Sequence, residues 1–431
     1  MMPSPKIQSV SDVVACNLCT GCGTCAGLFP NTIRMIEDEI EGRRPVASDP
    51  TSDRAALSVC AGIGREAPAA RDDIDAEWGP VLETWEGYAA DPEIRHRGSS
   101  GGAVTALALF ALETGAVEQV AHIAARDDDA RLSAGVLSRS RAALLRGAGS
   151  RYAQASPCET LGAIAAGDAR TLMIGKPCDI ASAKQASAVE PSLAGKMPLT
   201  VAIFCAGAPN LAATERLLDH LDVPETAAIS GLRFRGDGWP GLMQARWQDE
   251  DGKDHQSAGI PYAKGWGEIL QTGRRWRCRV CDDHTGAFAD ISVGDPWHTP
   301  PQGDTDAGRS LIVARTPQGA ALIKAAIAAG ALVATAQDRD VIARAQPNLV
   351  HTNAAVWGRR VAMRAMGIAV PAHPVGARFG QWLTRLSTKE KAQSFAGSLK
   401  RILRGRLHQR LVQRAMQTRR AAVTLPRKDA A

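Results

Sequence analysis

Four cysteines, Cys16, Cys19, Cys22 and Cys25, follow one another at intervals of three residues near the start of the chain. Gly21 and Gly23 stand between them, so the thiols are drawn onto one tight loop. Soft thiolates at this density select iron–sulfur clusters or zinc, and uniform two-residue gaps are the pattern of ferredoxin loops. Zinc sites more often pair one such doublet with a second, or with histidines, a dozen or more residues away. The second doublet here, Cys278 and Cys281, lies far downstream. The first loop therefore reads as cluster-binding. It departs from a ferredoxin run at its end, where Cys25 is followed by Ala26, Gly27, Leu28, Phe29 and Pro30 without a cysteine before the proline. If Cys19, Cys22 and Cys25 hold three irons of a cubane, the fourth ligand is Cys60 or Cys16. Cys60 is favoured, because Cys16 precedes a self-sufficient core of three.

The rest of the composition is that of a globular chain. Of 431 residues, 45% are hydrophobic and 22% charged, enough for two or three domains with a sizeable core. The first residues show no basic region followed by an apolar run, and the longest apolar stretch, residues 101–112, is too short to span a bilayer. Ten cysteines then argue for metal ligation in the cytosol rather than for disulfides. The net charge of +6 is uneven: residues 375–431 hold fourteen Lys and Arg against two acids, which leaves the body acidic. Nucleic-acid binding by the body is not indicated.

Residues 1–65 read as a cluster-bearing module, and the Ala- and Asp-rich residues 66–84 as a linker. Gly98, Ser99, Ser100, Gly101 and Gly102 then open an apolar helix that ends near Gly115. Such a helix start offers backbone N–H groups to a phosphate, with Arg95 and Arg97 adding charge; an ordinary capped core helix is the equal alternative. Short apolar strands follow, at residues 116–124, 171–174 and 199–204. Two of them run into cysteine-bearing loops at Cys178 and Cys205. Apolar strands alternating with helices predict an α/β sheet, in which ligands sit beyond the carboxyl ends of the strands. Each cysteine alone reads as a small buried hydrophobe. Together with Cys278 and Cys281, in a segment crowded with arginine, they make the four ligands a second cluster needs. Cys158 is the leftover and reads as structural. Further strands are expected over 289–297 and 308–316, then a helix over 318–329. Asp290 and Asp295 are turn residues or ligand contacts. In the tail, Leu399, Ile402, Leu403, Leu407, Leu411, Val412 and Ala415 fall at helical spacing among Lys and Arg. This basic amphipathic helix docks on its own body or faces an anionic surface or acidic partner.

These segments, in this order, resemble the coenzyme F420 hydrogenase/dehydrogenase β-subunit family. The matching parts are residues 18–25, 98–102, 175–178 (Gly175, Lys176, Pro177, Cys178), 204–207, 235–241, the doublet Cys278 and Cys281 with Asp282, and 289–297. They span about residues 13 to 365. The resemblance implies an iron–sulfur flavoprotein oxidoreductase built around one FAD, with one or two 4Fe–4S clusters. Its relatives include deazaflavin-linked hydrogenase and formate dehydrogenase subunits, and ferredoxin-dependent tetrapyrrole reductases. Phe29 and Ala61 depart from the family pattern.

The expectation is a mixed α/β protein: a ferredoxin-like cluster module (1–65), a flavin-binding core in two parts (85–165 and 166–370) and a basic helical tail (375–431). A 4Fe–4S cluster on Cys19, Cys22, Cys25 and Cys60 takes electrons from ferredoxin or a similar donor. FAD, held by the Gly98–Gly102 loop, Arg151 and Asp295, passes them to an organic acceptor. Cys178, Cys205, Cys278 and Cys281 carry a second cluster, and His284 or Asp282 supplies a proton. The alternatives are an electron-transfer subunit of a larger dehydrogenase and a zinc-stabilised binding protein. The compartment is cytoplasmic, with the tail able to reach a membrane surface.

Overall fold

The computed structural model describes residues 5–66, 68–303, 306–372 and 378–410. Its centre is one sheet of eight strands: β1 (Glu83–Ala89), β2 (Gln119–Ala125), β3 (Ser133–Ser138), β4 (Thr171–Gly175), β5 (Leu199–Ile203), β6 (Ile291–Gly294), β7 (Ser310–Ala314) and β8 (Leu332–Gln337). The order across the sheet is β8-β1-β7-β6-β5-β4-β2-β3. The four strands β6, β5, β4 and β2 run parallel, and every other pairing is antiparallel. The expected α/β sheet is thus present, with its strands within a few residues of where the sequence places them.

Burial explains the composition of the strands. β5 and β7 are almost continuously apolar because both faces of the sheet are covered. Leu172 and Val201 point to one face, where the helices Ala103–Glu113 and Pro317–Ala328 bring Leu107 and Ile323. Their neighbours Met173 and Ala202 point to the other, against Leu161, Ile164 and Ile180. A separate four-stranded antiparallel sheet (residues 228–261) packs on the helix Leu211–His220 through Leu217, Phe234 and Trp247.

The N-terminal module is stitched to this core. Cys158 N–H donates to Cys22 O (3.0 Å) and Ser156 Oγ to Gly21 O (2.8 Å). Arg277 donates to Gly62 O (2.9 Å) and Ala61 O (3.1 Å). In the tail, the helix Thr388–Arg404 turns Ser394, Ser398 and Ile402 inward, and Ile402 joins Val13, Val14 and Met363 in one apolar cluster. That part of the amphipathic face is used on the body; Leu411, Val412 and Ala415 lie outside the described residues. Among the described residues no helix is long and apolar enough to cross a membrane.

Residues 66–84 are not a linker. They contain the helix Asp73–Trp78, and Trp78 and Val81 are buried with Leu311, Val313 and Val341. The acids that suggested a solvated stretch are structural. Asp72 caps this helix, while the buried carboxylate of Asp75 pairs with Arg71 (2.6 Å) and Arg339 (2.7 Å). Buried Arg315 closes the junction from the sheet side, donating to Trp78 O, Pro80 O, Thr285 O and Ser292 Oγ at 2.6–2.9 Å. Removing it strands four acceptors away from water. Arg315→Met should therefore destabilise the protein by about 3–5 kcal/mol, read as a lower denaturant midpoint. A midpoint within error of the wild type would mean that this junction contributes little.

Candidate cofactor sites at the sheet edge

The first cysteine loop turns on two glycines in the left-handed region, Gly21 (φ +76°) and Gly23 (φ +85°). A side chain at Gly21 would also strike Arg275, whose guanidinium lies 2.3 Å from the ideal Cβ position. Cys19, Cys22 and Cys25 are all buried. Cys60 arrives from a separate turn held by Ser182, which donates to Val59 O (2.7 Å), accepts from Ala61 N (3.1 Å) and lies 3.6 Å from Cys22 Sγ. The four thiols share one electrostatic neighbourhood. Burial pushes Cys60 up to about 12, and negative charge on Cys22 and Cys19 adds to it. Cys25 is raised well above the usual thiol range by burial and by Cys22, Cys19 and Cys60. Cys16 stands apart: burial raises it, but the charges acting on it are Arg410 and Asp12, not the other cysteines.

Cys158, read from the sequence as structural, lies against this set. Its thiol hydrogen-bonds Cys22 and holds that residue well below the ordinary range, with Thr24 and Ser182 helping against burial. Only its place in the fold reveals this, because no spacing links it to the loop.

The cysteines of the second set lie within electrostatic reach of one another. Cys178 opens the helix Pro177–Val189, Cys205 follows β5, and Cys278 and Cys281 flank the end of the short helix Trp276–Arg279. Burial pushes Cys205 up to about 12, with Cys278 and Cys281 adding to it. Cys178 is raised by burial, Asp179 and Cys205. Arg277 is buried among them and feels Cys281, Cys178 and Cys278. Ala208 N–H donates to Cys278 Sγ at 3.4 Å, the kind of bond a thiolate ligand accepts. Cys178 also feels Cys22, so the two sets adjoin. Among the described residues no three His, Cys, Asp or Glu side chains converge closely enough to share one ion.

A large cavity opens at the carboxyl ends of the parallel strands, the place where α/β sheets hold ligands. The ends of β4, β5 and β6 line it with Lys176, Cys205 and Asp295, and Thr20 reaches it from the first cysteine loop. Gly98, Ser99, Ser100 and Gly102 form another wall. Gly102 (φ +72°) starts the helix Ala103–Glu113, and its Cβ would stand 2.6 Å from Ile94 O. Gly101 sits behind, its N–H bound by Ser310 Oγ (3.0 Å). The remaining wall is aromatic: Tyr262 stacks on Trp297 with rings 10° apart, and Tyr152 meets Trp266 at 4.8 Å.

Several expected residues have other employment here. Arg151 lines the cavity, but it donates to Ala130 O, Leu132 O, Leu232 O and Ser133 Oγ. Three carbonyls and a hydroxyl thus engage four of its five N–H donors, which leaves one for a phosphate. Arg95 lies over the Tyr88 ring and donates to Gly308 O, while Arg97 pairs with Glu93. The charge that faces the Gly98–Gly102 loop is instead Arg235. Buried under Tyr262 and Trp297, it donates to Ser99 O and grips both oxygens of Asp295 (2.7 and 2.9 Å). Trp239 Nε1 also donates to Asp295 (3.0 Å), so this carboxylate anchors Arg235 and is not free. Arg235 stood in a quoted motif, but nothing in its spacing distinguished it from Arg151.

His284 and Asp282 line a second cavity, together with Cys178, Cys281, Asn353 and Arg378. The Nδ1 of His284 bonds Cys205 O (2.7 Å), and burial pushes the ring down to about 4. The ring is neutral at physiological pH, and its one N–H, on Nδ1, is committed to the Cys205 carbonyl. Asp282 pairs with Arg360 at 3.4 Å. The groups that keep a proton at the first cavity are Lys176, sustained by Asp179, and Tyr262, whose phenol burial pushes well up.

Known proteins bear on these sites. A search of curated proteins finds no match for the sequence. Among solved structures, the fold is similar to a chain of the F420-reducing [NiFe] hydrogenase complex from Methanosarcina barkeri, studied by xenon derivatization. The TM-score is 0.51 and the identity 20%, over 68% of this chain and 95% of that one. Residues 84–161 match the family described as coenzyme F420 hydrogenase/dehydrogenase, beta subunit N-term. Residues 168–340 match the corresponding C terminus. The matched stretches hold the first cavity's Gly/Ser loop, Arg235 and Asp295, and the second cysteine set; the first cysteine loop lies before them. Matched over more than half its length, the chain belongs to the coenzyme F420 hydrogenase/dehydrogenase beta-subunit family, a family of electron-transferring oxidoreductases.

Proposed function

We propose that the protein is an iron–sulfur flavoprotein that moves electrons from a low-potential carrier such as ferredoxin to an organic acceptor. The observation that carries this reading is the seat of the large cavity. Thr20 of the first cysteine loop and Cys205 of the second set both stand in its wall. Two thiol sets and one cavity with phosphate- and ring-binding walls thus form a continuous arrangement.

Cys19, Cys22, Cys25 and Cys60 are the ligands of one 4Fe–4S cluster, and Cys178, Cys205, Cys278 and Cys281 of the other. The donor sets suit such clusters in being all-thiolate. The first cavity would hold FAD: the Gly98–Gly102 helix start offers N–H groups to phosphates, and Tyr262, Trp266 and Trp297 offer aromatic surface to rings. When bound, these groups supply one-electron relay and exchange between one- and two-electron chemistry. The chain's part is to position and to set charge. Arg235 fixes the Gly/Ser loop and brings positive charge to the cavity wall. Arg277 and the Cys158 thiol stabilise negative charge on the thiolates. Lys176 and Tyr262 hold protons where an acceptor would need one.

An electron-transfer subunit without a substrate of its own is the second reading. It is favoured by the exposed apolar residues Phe379, Leu383 and Leu403 on the C-terminal helices, which a partner subunit would cover.

Anaerobic purification should give a brown protein with about eight irons per chain and one flavin. A colourless protein holding zinc would leave only the fold in common with the family. Cys60→Ser should remove about half of the iron, the share of one cubane, while Cys16→Ser leaves it unchanged. The reverse pattern would move the fourth ligand to Cys16. Arg235→Met should lower bound flavin at least about fivefold, the loss of one charge-assisted contact, with iron retained. Full flavin content in that variant would remove Arg235 from the site.

A further inference from the structure

Beside the second cysteine set, four arginines from three parts of the chain act on one another, and two of them lie within reach of Cys278. Arg274 and Arg279 bracket it in sequence, Arg359 comes from the long helix Pro347–Ala365, and Arg401 from Thr388–Arg404. Cys278 is itself partly exposed. The arrangement is fixed by backbone acceptors. Arg274 donates to Ala206 O (2.9 Å), Arg279 to Thr272 O (3.1 Å), and Arg359 to Arg279 O (2.7 Å). None of these bonds brings a countercharge, and no carboxylate forms an ion pair with any of the four among the described residues. The charges act on one another instead. Arg359 is pushed down to about 10 by burial and by Arg274, Arg401 and Arg279; Arg279 likewise by burial, Arg274 and Arg401. Other arginines of this chain do carry a carboxylate partner, as with Arg235–Asp295, Arg131–Asp129 and Arg385–Glu77.

Holding four like charges together opposes folding, and each fork keeps N–H donors that no carboxylate meets. Such a patch is complementary to a carboxylate-rich surface, which would relieve the repulsion. Arg274, Arg279 and Arg359 are already held by carbonyls, so they lose little side-chain entropy on docking, while Arg401 is exposed.

We propose that the Arg274, Arg279, Arg359 and Arg401 patch is the docking surface for an acidic redox protein, and that Cys278 marks the point where electrons enter the chain. This rests on the reading of the second cysteine set as a cluster site. In each encounter one electron leaves the carrier, which is oxidised, and reduces this protein; no bond forms or breaks. The entry point is then the second set, and not the first loop that most resembles a ferredoxin.

The test uses the purified holoprotein and an acidic bacterial ferredoxin as the probe, reduced and mixed anaerobically by stopped flow. The second-order rate should fall at least about tenfold between 50 and 500 mM NaCl, as screening of a steered encounter requires. Exposed Arg401→Glu should lower the low-salt rate about five- to tenfold and flatten the salt dependence, and Arg401→Glu with Arg359→Gln should lower it further. Lys253→Glu, an equal charge change on an exposed hairpin, should leave the rate unchanged, and reduction by methyl viologen should be the same in all variants. Rates insensitive to Arg401→Glu, or lowered as much by Lys253→Glu, would overturn the proposal. So would loss of binding to anionic lipid vesicles with ferredoxin reduction intact. Calorimetry with oxidised ferredoxin separates the two claims, since binding that Arg401→Glu abolishes supports the patch even in a chain that proves to hold no cluster.

Discussion

Nine of the ten thiols of this chain are gathered in two adjoining groups in its interior, and the constraint that follows is electrostatic. Thiolates removed from water need compensation, or they remain protonated thiols that bind no metal. Burial and the neighbouring thiolates together push Cys60 and Cys205 up to about 12. The structure supplies positive charge and donors around them: Arg275 against the first loop, Arg277 among the second set, Ala208 N–H on Cys278, and the Cys158 and Thr24 side chains on Cys22. Arg277 also joins the groups mechanically, since the same guanidinium donates to the carbonyls of Ala61 and Gly62 beside Cys60. The N-terminal module is therefore held to the core by the residues that manage its charge. The helix Pro177–Val189 does the same from the other side, with Cys178 at its start and Ser182 gripping the Cys60 turn.

This coupling explains which parts of the architecture were legible in the sequence. Strands such as residues 171–175 and 199–203 are short apolar runs closed by glycine, proline or cysteine, and a sheet covered on both faces leaves that trace in any order of contacts. Cys60 was legible because few other thiols were near enough in sequence to complete the first set. The proximity of Cys178, Cys205, Cys278 and Cys281 was legible only as a count of four. Bringing them together needs two parallel strand ends and a returning loop a hundred residues apart.

What the sequence concealed is the division of labour among like residues. Arg151 and Arg235 look equivalent in a string of letters and each makes four hydrogen bonds at the cavity wall, yet the acceptors of Arg151 are three carbonyls and a hydroxyl while those of Arg235 include the Asp295 carboxylate. Asp295 lies at the expected strand end, but its two oxygens are taken by Arg235 and Trp239. Residues 66–84 carry the acids of a solvated linker, and those acids turn out to be a helix cap and a buried ion pair. In each case a side chain's role is set by which acceptors the fold leaves unsatisfied nearby, and that is a property of three-dimensional packing rather than of spacing.

The same reasoning separates the two cavities. A proton donor must hold a proton at the working pH and must face the reacting groups. His284 does not meet this at the first cavity, since its ring is neutral, its one N–H is committed through Nδ1 to Cys205 O, and it is turned toward the second cavity. Tyr262 and Lys176 keep their protons for opposite reasons. Burial makes the phenol a weaker acid, whereas the Lys176 ammonium, though buried, is sustained by Asp179 and by charge on Cys178 and Cys205. Negative charge arriving on the second cysteine set would strengthen the hold of Lys176 on its proton. Lys176, between the second cysteine set and the cavity, thus brings a lasting positive charge to that wall, which the neutral imidazole of His284 does not.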